Sequence, residues 1–114
     1  MILDELASSI KAASSDPVAI KLADLLSQWK DDDSNVEDLE YWVERYIGNT
    51  WISSEEEHKQ IYRLWSQFKS DAVKCVRGMT MNERLFRFGL MDRFDTARTE
   101  QERKTIYAKL LASP

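Results

Sequence analysis

Apolar residues recur at three- and four-residue spacing along the whole chain, which is the pattern of amphipathic helices. Ile2, Leu3, Leu6 and Ile10 predict a first helix from Ile2 to about Ala13. Asp16-Pro17 restarts the pattern. Aspartate offers a carboxylate to the free N–H groups of a first turn, and proline at that point gives up no hydrogen bond. Val18, Leu22, Leu25, Leu26 and Trp29 then share a face through about Lys30. After the acidic turn Asp31-Asp32-Asp33-Ser34, Asn35 is the expected cap of a third helix. Its apolar side is Leu39, Trp42, Val43, Tyr46 and Ile47, and Gly48 is its expected left-handed stop. Trp51, in the connector that follows, is expected to plug the core.

Ser53 with Glu56, or Ser54 with Glu57, opens a fourth helix expected to run to about Arg77, roughly 35 Å at 1.5 Å per residue. Its stripe is Ile61, Leu64, Trp65, Phe68, Ala72, Cys75 and Val76, with Gly78 as the stop. Thr80 with Glu83 forms another capping box and starts the stretch around which the chain is expected to be organised. Met81, Leu85, Phe88 and Gly89 fall on one side of it, and Phe86, Leu90 and Phe94 on another. A helix apolar on two sides is one packed between neighbours, and Gly89 would let a neighbouring backbone come close. Thr99 with Glu102 starts a last helix carrying Ile106, Tyr107, Leu110 and Leu111. The expected fold is all-α: a compact bundle of about six helices, with the long fourth packed against the two-faced fifth, in a single helical domain over residues 1–114.

Composition narrows this further. Three glycines and two prolines leave little for a turn-rich β fold. No apolar run approaches 18 residues and no basic stretch opens the chain, so neither a membrane span nor a signal peptide is expected. The one cysteine cannot form an internal disulfide, which suits a cytoplasmic protein. The net charge of −4 conceals a division: residues 1–57 hold 14 acidic and 4 basic groups, residues 58–114 hold 6 acidic and 12 basic. Two halves that face one another and compensate would account for it.

Catalytic chemistry finds few footholds. His58 follows Glu55 at the Glu-x-x-His spacing of di-iron proteins, but those need a second such motif and this chain has one histidine. Its place at the edge of the Ile61/Trp65 stripe predicts a half-buried structural side chain. Cys75 lies on an apolar stripe with no base beside it and reads as a small hydrophobe. No phosphate loop, HExxH or Gly-x-Ser-x-Gly occurs. No cofactor or metal is therefore expected. Asp92 projects between Met81 and Leu85, where an unpaired charge is costly, and an ion pair with Arg84 or a capping role is expected. Arg87 is expected to pair with Glu83, one turn back.

Basic residues on the fourth helix and beyond could meet phosphate, but a chain with pI ≈ 5.0 does not have the overall charge of a nucleic-acid module. The acidic side is more suggestive. Asp31, Asp32, Asp33, Glu37, Glu40 and Glu44, bordered by Tyr41, form a stripe outside every apolar face with no lysine interleaved. Such a stripe is either a solvated face or an electrostatic docking patch, with Tyr41 as its aromatic anchor. The expected function is non-enzymatic protein binding by an acidic inhibitor or immunity-type protein that neutralises a basic partner such as a toxin nuclease. A helical regulatory or adaptor domain able to form homo-oligomers is the alternative, and an enzyme with a carboxylate-based site the third.

Overall fold

Five of the seven α-helices start where a side chain accepts from a first-turn N–H group. In the computed structural model, which describes residues 1–114, α1 spans Leu3–Ala13, α2 Pro17–Trp29, α3 Val36–Asn49 and α4 Glu55–Phe68. A π-helical turn (Lys69–Val73) and a 3₁₀ turn (Val76–Gly78) follow, then α5 (Met81–Arg87), α6 (Met91–Asp95) and α7 (Glu100–Lys109). The chain is all-helical, 72% helix with no strands, and forms roughly a helical bundle. Asp16 accepts from Val18 N at 2.9 Å ahead of Pro17. Asn35 and Asp38 exchange reciprocal bonds of 2.8 and 3.0 Å. Ser54 caps α4, Thr80 and Glu83 form a closed capping box on α5, and Thr99 caps α7.

One apolar cluster of 25 buried residues draws on α1 to α5, the π and 3₁₀ turns and α7. Phe88 sits at its aromatic centre, 5.9 Å from the Trp29 ring and 5.6 Å from Phe68, which in turn meets Trp65 at 6.2 Å. Phe88 and Leu90 are both fully buried as expected, but they flank the turn between α5 and α6 rather than lying on two sides of one helix, and Phe86 is exposed. No helix is long and apolar enough to cross a membrane.

Several expected boundaries and contacts are corrected. The long fourth helix does not run on to Arg77. At Lys69 the ladder widens, with Lys74 N donating to Lys69 O, five residues back. The wide turn adds a residue to the repeat, so Val73 turns inward beside Ala72 and Cys75 turns out to solvent. The two-faced helix is two helices. Gly89, at φ 70°, ends α5 in a left-handed stop: Leu90 N donates to Leu85 O and Gly89 N to Phe86 O, the Schellman pattern. It is not a site of close backbone approach, because its nearest neighbours are the Lys30 and Asp4 side chains. The bundle therefore has seven α-helices rather than six. Gly48 lies inside α3, which ends at Asn49. Trp51 does not plug the core. It is 64% exposed and stacks on half-buried His58 with ring centroids 4.8 Å apart.

The expected pairing of Asp92 with Arg84 is also absent. Asp92 is exposed at the start of α6. Arg84 is buried and donates only to carbonyls: Met79 O, Arg77 O, Leu110 O and Leu111 O, at 2.8–3.1 Å. It thereby closes the C-terminal ends of the 3₁₀ turn and α7, whose free carbonyls would otherwise lie buried without donors. Arg87 reaches Met1 O rather than Glu83.

Candidate functional site

The sequence-predicted residues lie on α3 and the turn before it, and the fold supplies most of them with cations. Glu37 pairs with Arg77 at 2.9 Å, Glu40 with Lys74 at 2.7 Å and Glu44 with Lys69. In the turn, Asp32 pairs with Lys109 at 2.8 Å and Asp33 with Arg93 at 2.9 Å. Asp31 has no basic partner and is exposed. The cations missing from the stripe in sequence are supplied by the π turn and Lys74 just after it, the 3₁₀ turn, α6 and α7. The acidic first half and the basic second half thus compensate one another along α3. The stripe is not surplus to folding, and its free charge is much smaller than six carboxylates suggest.

Two of these pairs are built into the structure. Glu44 Oε1 accepts from both Lys69 Nζ and the Trp65 indole, 3.1 Å away. The Lys69 hydrogen bond, opposed by partial burial and helped by the indole, holds the Glu44 carboxyl below the usual range. The same bond raises Lys69. Lys109 was not singled out in the sequence, yet it is fully buried. Its ammonium gives its three N–H groups to Asp32 O, Asp32 Oδ1 and Ser34 O at 2.8–2.9 Å, and lies 3.7 Å over the Trp29 ring. Burial pulls Lys109 below the lysine range despite Asp32. For Asp32, burial opposes the charge too, but the hydrogen bonds from Lys109 and Ser34 outweigh it and lower the carboxyl. The two directions agree, since Lys109 is wholly enclosed while the Asp32 side chain is 54% exposed. Arg93 adds bonds to Lys30 O and Asp32 O, so two cations clamp the Asp31–Ser34 turn.

Opposite the ion-paired flank, α3 faces α2 across a groove of about 270 Å³ lined by Leu25, Gln28, Trp29, Asp32, Ser34, Asp38, Leu39 and Trp42. Trp42 is partly exposed and stacks on Tyr46, with centroids 5.7 Å apart. Tyr46 in turn donates to Val18 O of α2. Tyr41 stands on the ridge between groove and ion pairs, 66% exposed, its hydroxyl 3.3 Å from Arg45 Nη1. A second shallow depression lies on this side of α3, between Tyr41, Trp42, Arg45, Tyr46, Asn49 and Thr50. The groove residues went unmarked in sequence because Trp42 counted as core. A hint was present: Leu39 to Ile47 spans about 140° at 100° per residue, wider than one core-facing stripe requires.

No group of three or more His, Cys, Asp or Glu side chains is arranged to hold a metal ion. Comparison with known protein families, curated proteins and solved structures found no match.

Proposed function

We propose that this chain is a non-enzymatic protein-binding domain that docks a basic protein on the face formed by α2, α3 and the Asp31–Ser34 turn. The observation that carries it is the exposed pair Tyr41 and Trp42 beside an apolar groove whose rim holds the carboxylates of Asp32 and Asp38. Exposed Tyr and Trp beside a pocket are the usual anchors of protein interfaces, and carboxylates at the rim select a cationic partner. Asp31 and Tyr41 of the sequence-predicted stripe belong to this face. Asp32, Asp33, Glu37, Glu40 and Glu44 frame it through their internal pairs. The concrete version, an inhibitor or immunity-type protein covering a basic toxin such as a nuclease, draws support from the acidic balance of the chain. A cytoplasmic location fits the exposed thiol of Cys75, which keeps its reduced form best in a reducing compartment.

The test is selection of a random peptide library displayed on phage against the immobilised domain. Cationic clones that lose most of their binding to Trp42→Ala and Tyr41→Ala are expected. Neutral or acidic clones, or clones indifferent to both substitutions, would refute it. A second reading, self-association as a regulatory or adaptor domain, is favoured by exposed Trp51 and Phe86 and by the internal neutralisation of the acidic stripe. Sedimentation that shifts with concentration, and ceases to shift in Trp51→Ala or Phe86→Ala, would establish it instead.

A further inference from the structure

The groove between α2 and α3 has a chemistry of its own. At about 270 Å³ it lies below the usual range of sites for drug-sized ligands and has room for one side chain. Its apolar lining is Leu25, Trp29, Leu39 and Trp42, and two carboxylates stand at it. Each carboxylate is half used. Asp32 Oδ1 takes Lys109, Ser34 N and Ser34 Oγ, while Oδ2 accepts no hydrogen bond from the protein. Asp38 Oδ2 takes the Asn35 N–H, and Oδ1 accepts none.

The protein itself shows what this surface accepts. Lys109, enclosed behind the groove, lays its charge against the Trp29 ring and Asp32, two of the residues that line it. With one ammonium set against two carboxylates, the groove keeps a net negative charge. Arg93 is directed at Asp33 and the turn carbonyls, and Arg45 lines the neighbouring depression beside Tyr41 and Trp42 rather than the groove itself. The negative end of the face is therefore at Asp38 and Asp32.

We infer that this groove seats an arginine side chain of the basic partner, which rests on the docking face proposed above and names its anchor. The arginine stem covers Leu25, Leu39 and the exposed edge of Trp42, as long cationic side chains cover apolar surface. Its planar guanidinium stacks on Trp42 and donates to Asp38 Oδ1 and Asp32 Oδ2. An ammonium would use these groups less well, because it is compact and cannot stack and fork at once.

The test is an NMR titration of the ¹⁵N-labelled domain with N-acetyl-arginine methylamide, followed at the Trp42 and Trp29 indole N–H and the Asp38 and Leu39 amides. The arginine probe shifts these signals saturably. The citrulline analogue, alike in shape but uncharged, binds at least about tenfold more weakly, since it lacks charge-assisted bonds. Asp38→Asn, which keeps an acceptor for Asn35 N, weakens the arginine probe severalfold at unchanged melting temperature. Equal binding of citrulline, tighter binding of the norleucine or lysine analogue, or no saturable shift at these signals would overturn the arginine pocket. The two proposals fail separately. Cationic peptides that bind α3 without moving the Trp42 and Leu39 signals remove the pocket and leave the docking face. Arginine binding on a domain that selects no cationic peptide leaves the pocket and removes the docking face.

Discussion

The Lys109–Asp32 pair yields an asymmetry that neither residue's chemistry alone would suggest. Removing one partner of a buried pair costs about 3–5 kcal/mol when the other charge is left enclosed. Only Lys109 is enclosed; the Asp32 side chain is 54% exposed. In Lys109→Met the Asp32 carboxylate turns to water and keeps its bonds from Ser34, and Asp32 O keeps Arg93. The losses are the donor to Ser34 O, about 1–3 kcal/mol, and the cation on Trp29, up to about 2 kcal/mol. Relief from burying an ammonium offsets part of this, leaving about 2 kcal/mol. In Asp32→Ala the ammonium stays buried with two carbonyls and no counter-charge, so the loss is nearer 3–5 kcal/mol. Urea titrations followed by tryptophan fluorescence give both values. A pH series adds a sign. Because burial lowers Lys109, the folded state sheds this proton before the unfolded chain does, so stability rises with pH in that window. The wild-type advantage over Lys109→Met therefore grows as pH climbs toward the unfolded value of about 10.4. A Lys109→Met variant as stable as wild type, or more damaged than Asp32→Ala, would refute the role assigned to burial.

Two further substitutions probe other parts of the fold. Gly89→Ala places a side chain at φ 70° and is expected to lose about 1–2 kcal/mol in thermal denaturation; a gain would return Gly89 to a helix interior. Glu44→Gln keeps an acceptor for Trp65 but loses the charge facing Lys69, for about 1 kcal/mol at neutral pH given the 34% exposure of Glu44. The lowered Glu44 carboxyl contributes stability above its unfolded value near 4.3 that is lost as pH falls through the folded one, so the variant's deficit must vanish in acid. A deficit unchanged in acid would mean the pair contributes through packing alone.

Helix starts were legible in the chain because a cap is a local event: Asp16, Asn35, Ser54, Thr80 and Thr99 each meet N–H groups two or three residues on. What could not be read depends on partners far along the sequence. The π turn at Lys69 leaves no mark in the apolar spacing, and it decides that Cys75 faces water. Gly89 fits a helix interior or a left-handed stop equally well until Leu90 is seen bonding to Leu85. Lys109 reads as an ordinary last-turn cation, and only the turn 75 and 77 residues away, at Ser34 and Asp32, makes it a core residue. The acidic stripe followed the same rule. Its carboxylates were visible, but their cations lie in the second half of the chain.

The docking face itself is tested most directly by mapping one selected cationic peptide onto the domain through the amide and indole signals of the ¹⁵N-labelled protein. The predicted footprint is Leu25, Gln28, Asp31, Asp38, Tyr41 and Trp42, on α2, α3 and the turn between them, with α5 and α7 unperturbed at their exposed positions. A footprint centred on α4 to α7, with the Tyr41 and Trp42 signals unmoved at saturation, would contradict it.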